Sequence, residues 1–149
     1  KMTIEPLVQG VLVLNQQIIQ GAGEIVVDLN QDCVAWVNPL AFEQVVTNVI
    51  ANAISALAER EIPREGPQLE IKLTSEVDWV VLSISDRGVG IDAKHMQKIF
   101  EPFFSSNSTP SHGLGLAMVQ KSMQAMGGSV HCKSEKDVGS SFTLKFKKD

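Results

Sequence analysis

Between Leu40 and Leu57 the apolar residues Leu40, Val45, Val46, Val49, Ile50, Ala53, Ile54 and Leu57 recur at helical spacing. This predicts a helix over 40–59. Residues 69–75 alternate apolar and polar, and the β-rich run at 80–85 follows a turn around Asp78, so two consecutive strands are expected there. A second strong helical pattern, Leu116, Ala117, Met118, Val119, Met123 and Met126, stops at Gly127-Gly128 and predicts a helix over 114–126. Weaker patterns add a helix at 3–19, strands at 24–29, 34–37, 129–134 and 141–147, a loop at 63–67 and a short helix at 93–99. Together these read as an α/β, or α+β, two-layer sandwich with the sheet on one side and helices on the other. No internal repeat is evident.

Polar residues interrupt this frame in three places. Gln44, Asn48 and Asn52 follow one another at i, i+4 in the first helix, which puts three amides on one face, each about 6 Å along the axis from the next. Asparagine favours caps and turns over helix interiors, and no charged residue lies between Glu43 and Glu59, so a solvated polar face is a poor account of the stripe. An amide carbonyl is a suitable Mg²⁺ ligand, because that ion takes oxygen and completes its shell with waters and phosphate oxygens. The second place is Asp86-Arg-Gly-Val-Gly90, at the end of the 80–85 strand. Asp86 can aim a carboxylate into a cleft and accept from an exocyclic amine such as adenine's, while Gly88 and Gly90 allow torsions or close approach that a Cβ would forbid. Alone, it would read first as a polar turn after a strand.

The third place is Gly113-Leu114-Gly115-Leu116, where backbone amides open the second helix and offer an anion site. A dinucleotide-binding turn is a weaker reading, since Met118 stands where a third glycine would be and no strand directly precedes it. Two glycine turns flanking a polar loop suggest a nucleotide pocket with a lid.

The segment Thr47-Asn48-Val-Ile-Ala-Asn52-Ala53, the turn Asp86 to Gly90, Phe100-Glu-Pro-Phe-Phe104 and Gly113-Leu-Gly115-Leu together resemble the N, G1, F and G2 boxes of sensor histidine kinases, in order and spacing. The resemblance covers nearly the whole chain, and Gly139-Ser-Ser-Phe-Thr-Leu resembles the closing strand of the same domain. It implies the Bergerat ATP-binding fold, with a mixed sheet packed on helices and a mobile ATP lid. Carried over by position, Asn52 would ligate Mg²⁺, Asp86 would bind the adenine amine, Gly88 and Gly90 would shape the base pocket, and Gly113, Leu114, Gly115 and Leu116 would face the phosphates. Ser140 would support adenine through water, and Phe100, Phe103 and Phe104 would anchor the lid. Relatives that hydrolyse ATP alone carry a glutamate base where this chain has Asn48, and an amide cannot accept a proton from water at neutral pH. The resemblance therefore implies transfer from ATP to a histidine on a separate dimerisation domain, with a response regulator downstream. The catalytic candidates are Asn48 and Asn52.

The chain departs from that pattern in its charges. From Ile99 to Gln120 the only formally charged residue is Glu101, where relatives commonly carry a lysine. Mg²⁺, Lys98, Lys121, His112 and the helix amides are the available partners for phosphate, and Ser111 and Ser55 replace a glycine and a lysine often found in the family. The uncharged lid motivates an alternative, a degenerate docking module that binds nucleotide weakly; a self-contained ATPase is disfavoured by Asn48. None of His95, His112 and His131 is followed by an acceptor-box pattern. A kinase fragment is thus expected, monomeric in isolation, with residues 4–19 beginning in the connection from an acceptor domain.

Composition narrows partners. At 149 residues and 44% hydrophobic, the chain is expected to form one domain over 1–149. A net charge of −4 with scattered lysines gives no basic stripe, which disfavours nucleic acid. Cys33 and Cys132 have no metal-ligand spacing and are expected as free thiols in a reducing compartment. The longest apolar runs fall far short of the ~18 residues of a membrane helix. No signal peptide or span is expected, and the location is expected to be cytoplasmic.

Overall fold

A computed structural model describes residues 1–61, 65–102, 104 and 115–148. The elements run β1 (Met2–Thr3), α1 (Ile4–Leu14), α2 (Gln16–Gln20), β2 (Ile25–Leu29), β3 (Val34–Ala35), α3 (Pro39–Ala58), β4 (Leu69–Ser75), β5 (Trp79–Asp86), a 3₁₀ turn (Ala93–His95), α4 (Gly115–Ala125), β6 (Ser129–Glu135) and β7 (Gly139–Lys147). Five strands form a mixed sheet in the order β2-β4-β5-β7-β6, with β2 parallel to β4 and the remaining pairs antiparallel. Helices α1, α3 and α4 pack together on one face. The two-layer expectation is met.

The pleat decides which side chains face the helices. Leu69, Ile71 and Leu73 of β4, Val80, Leu82 and Ile84 of β5, and Phe142, Leu144 and Phe146 of β7 are all buried, with Glu70 and Lys72 outward. Asp86 and Ser140 continue the buried rows of β5 and β7 and are register partners of each other. Against this face α3 buries Phe42, Val45, Val46, Val49, Ile50 and Ala53. Its start is set by Asn38, whose side chain accepts from the Ala41 amide at 3.1 Å, followed by Pro39 in the first turn. By length and a hydropathy of 1.3, α3 is apolar enough to cross a membrane, a property the short-run expectation missed. Six buried residues on one side and the amides on another are the pattern of a core helix. Helix α4 ends in a Schellman arrangement, with Gly128 donating to the Met123 carbonyl at 2.8 Å and Gly127 to Gln124 at 3.0 Å.

Two helices differ from expectation. Residues 3–19 are not one helix: Thr3 belongs to β1, which pairs with β3, and the helix breaks at Asn15 (φ −104°, ψ 16°). Asn15 turns its side chain onto the Val11 carbonyl at 2.9 Å, and the break lets Ile19 join Ile4, Val8 and Val11 in the core. At 93–99 only one 3₁₀ turn forms. Lys98 donates to His95 and Glu101 to Lys98, so successive i→i−3 turns replace a helix and bury Ile99. The expected strand at 34–37 is limited to Val34–Ala35. Both cysteines are free.

Phe42 lies on Phe146 with ring centroids 5.2 Å apart, joining α3 to β7 at full burial. Phe42→Ala should cost about 3–5 kcal/mol, measured by urea denaturation.

Candidate nucleotide site

An open cleft lies where α3, the first glycine turn and the start of α4 meet. Its wall contains Asn48, Asn52 and Ser55 from α3, Gly90 and Ile91 from the turn, Phe104, Gly115 and Leu116 from the start of α4, and Ser140 from β7. The structure thus brings together residues that are far apart in sequence. No hydrogen bond to a described residue occupies the Asn48 or Asn52 side-chain amide. Glu59 is the single charged residue in the described wall. It lies seven residues beyond Asn52, about 10 Å along the helix.

Asp86 and Gly88 are not among the residues lining this cleft, although Ser140, the register partner of Asp86, is. Asp86 is 5% exposed, and its Oδ1 accepts from the Gly88 amide at 2.9 Å. Its Oδ2 is buried with no hydrogen-bond partner among the described residues. Burial drives its pKa from 3.8 up to about 6, against the opposing effect of the Gly88 and Ser140 backbone amides. Burial also pushes the Cys132 thiol up to about 12, with the Asp86 charge adding to the effect.

The turn is held by contacts that spacing alone did not reveal. A Cβ on Gly88 would sit 2.6–2.7 Å from atoms of Ala56 in α3, so the turn lies directly on the amide helix. Gly90 has φ +71°, and a Cβ there would overlap the Glu135 carbonyl. Arg60, just beyond α3, donates to the carbonyls of Arg87 (3.2 Å), Gly88 and Asp137 (2.8 Å). The Asp137 amide donates to Val89 at 2.6 Å. The Ile91 amide donates to Ser134 Oγ at 2.7 Å, and Ser134 also meets Ser140 Oγ at 2.7 Å. Arg60 and Ser134 carry no sequence signal of their own. Each lies in a different element from the backbone it holds.

Among the remaining expected residues, Lys98 is exposed and outside the wall. Lys121 is also exposed, on α4. Phe104 lines the cleft and packs on the His95 ring at 5.4 Å, and Phe100 is partly buried against the core. Phe103, Gly113, Leu114, His112, Ser111 and the rest of the expected lid lie outside the described residues. No cluster of His, Cys, Asp or Glu suited to a metal occurs among the described residues.

The family described as "Histidine kinase-, DNA gyrase B-, and HSP90-like ATPase" matches residues 37–149, and the chain belongs to it. Its relatives make it an ATP-binding catalytic domain of the histidine kinase type. It is similar to the sensor kinase CckA of Brucella abortus, 37% identical over 113 residues covering 69% of this chain and 12% of that protein. It is also similar to the sensor histidine kinase RcsC of Salmonella typhimurium, 30% identical over 127 residues covering 82% and 12%. The solved catalytic domain of histidine kinase ThkA superposes with TM-score 0.78 at 26% identity, over 98% of this chain and 95% of that one. The Acinetobacter baumannii histidine kinase AdeS gives 0.76 at 25%, over 99% and 66%. The chain spans only 12% of the length of those two curated relatives.

Because the folded pKa of Asp86 lies above its ordinary value, its contribution to stability is fully present below pH 3.8 and is lost as pH rises through about 6. Asp86→Asn should therefore stabilise the unliganded domain at pH 7.5 by about 1–3 kcal/mol. The gain should narrow by pH 5, as read by urea denaturation at the two values.

Proposed function

We propose that this chain binds Mg²⁺-ATP and presents its γ-phosphoryl group to a histidine imidazole on a separate dimerisation domain, as the catalytic part of a two-component sensor kinase. The observation that carries this reading is the buried Oδ2 of Asp86, which no described residue pairs, beside a cleft lined with amides. Adenine's exocyclic amine supplies a donor to it. The ionised carboxylate is the stronger acceptor, and its hydrogen bond to the amine offsets the burial that raises its pKa.

Asn52, with Asn48 one turn before it, offers carbonyl oxygen to a metal and amide N–H to phosphate. The first turn of α4, at Gly115 and Leu116, faces the same cleft with its positive dipole end. Bound Mg²⁺ would neutralise charge on the phosphates. No carboxylate or imidazole base stands near Asn48 and Asn52 in the described wall, since Glu59 is about 10 Å along the helix from Asn52. Proton removal from water is thus unsupported, which favours transfer to an outside nucleophile by positioning and charge neutralisation. Asn48, Asn52, Asp86, Gly88, Gly90, Gly115, Leu116 and Ser140 are the residues assigned to the site. A response regulator receiver domain is the proposed next acceptor. ATP as donor and two free thiols fit the cytoplasm.

Asp86→Asn should weaken ATP binding by about tenfold or more in calorimetry with Mg²⁺, since a charge-assisted hydrogen bond is worth roughly 1.5–3 kcal/mol. Wild-type affinity should also fall between pH 7.5 and 5.5 as the carboxylate takes up its proton, more steeply than that of Asp86→Asn. Asn52→Asp should lose about tenfold in Mg²⁺-dependent affinity with an unchanged melting temperature, because it alters charge at the metal and phosphates and leaves the core intact. ATP binding unchanged in both variants would overturn the assignment.

A further inference from the structure

The hydroxyl of Ser134 has three neighbours and one proton. The Ile91 amide donates to it at 2.7 Å, the Gly139 carbonyl lies 3.0 Å away and can only accept, and Ser140 Oγ lies 2.7 Å away and can do either. If Ser134 donated to Ser140, the Gly139 contact would have no proton. A single assignment satisfies all three: Ser134 accepts from Ile91, donates to Gly139 and accepts the proton of Ser140. Ser140 then has its proton turned away from the cleft, and the lone pairs of its Oγ remain.

Ser140 lines the cleft and is the register partner of Asp86 across β5 and β7. Both residues face the helix layer, at 6% and 5% exposure. Two acceptors therefore stand side by side at the base end of the site, the unpartnered Asp86 Oδ2 and the Ser140 Oγ. An exocyclic amine, or a water it holds, can donate to such a pair. A keto oxygen in the same place meets acceptors alone, and a buried acceptor facing another acceptor is penalised.

We infer that Ser134 is a specificity-determining positioning residue, which keeps Ser140 an acceptor and so makes the site select 6-amino over 6-keto purine nucleotides. The inference rests on the adenine reading of Asp86. Ser134 touches no ligand; it acts through the direction of one proton. Without its hydroxyl, Ser140 is free to turn its proton toward the cleft and donate to a keto oxygen.

The test compares ATP with inosine triphosphate, which has a keto oxygen in place of the amine and a hydrogen on N1, by calorimetry on the whole chain and its variants. Ser134→Ala should lower the ATP-to-inosine-triphosphate affinity ratio by about fivefold or more, mainly through gained inosine triphosphate binding. Ser134→Thr, which keeps the hydroxyl, should restore the ratio. In a Ser140→Ala background, Ser134→Ala should have no further effect on it. Ser140→Ala alone gives an independent reading should Ser134→Ala not fold: the ratio falls if Ser140 is an acceptor and rises if it donates into the cleft. A wild-type ratio in folded Ser134→Ala, an equal drop in the Ser140→Ala background, or a ratio that rises in Ser140→Ala would each overturn the relay. Failure of the adenine reading looks different, since Asp86→Asn would then bind ATP as tightly as the wild type, and the relay would fall with it.

Discussion

A carboxylate buried at the end of a central strand, with one oxygen left without a donor, is the constraint around which this domain is organised. Asp86 occupies a core position by the pleat of β5, in the row of Val80, Leu82 and Ile84, yet it carries a group that burial penalises. An apolar residue there would suit the unliganded fold better. The hydrophobic contacts of α3 with the sheet, anchored by Phe42 on Phe146, hold the strand in place despite that penalty. On the proposed reading, a donor-bearing ligand would supply at Asp86 the stability that burial of the carboxylate costs the fold.

The surrounding contacts keep the carboxylate from relaxing. Gly88 lies against Ala56, Gly90 against the backbone at Glu135, and Arg60 joins the turn and the β6–β7 hairpin through three backbone carbonyls. Arginine suits this task because its planar guanidinium presents several donors in fixed directions. Ser134 adds a second tie, from Ile91 to Gly139 and Ser140. The turn is fastened to the helix on one side and the hairpin on the other, so this end of the cleft is fixed by the protein's own contacts. Such preorganisation reduces the ordering cost of binding.

Much of this was legible in the residues. Helical spacing placed Asn48 and Asn52 on one stripe of α3, and the structure puts both in the wall of the cleft. The β-rich run ending at Asp86 was visible because apolar strands buried by a helix layer repeat with little polar interruption. The two glycines were visible too, although their job differs between them: Gly90 needs its positive φ, whereas Gly88 needs only the absence of a side chain beside Ala56. The break at Asn15 was not legible. A local side-chain bond to the Val11 carbonyl and the burial of Ile19 decide it, against a helical pattern that reads as continuous.

By itself, the sequence determined the periods of its elements, the identity of the chemical groups and their order along the chain. Those depend on local backbone geometry and on which side chains can face apolar or polar surroundings. Tertiary structure alone decided that Asp86 and Ser140 stand in register on neighbouring strands and that Arg60 reaches across to the hairpin. The physical reason is separation. The Asp86–Ser140 register and the Arg60–Asp137 bond join segments far apart in sequence, which local backbone geometry does not bring together.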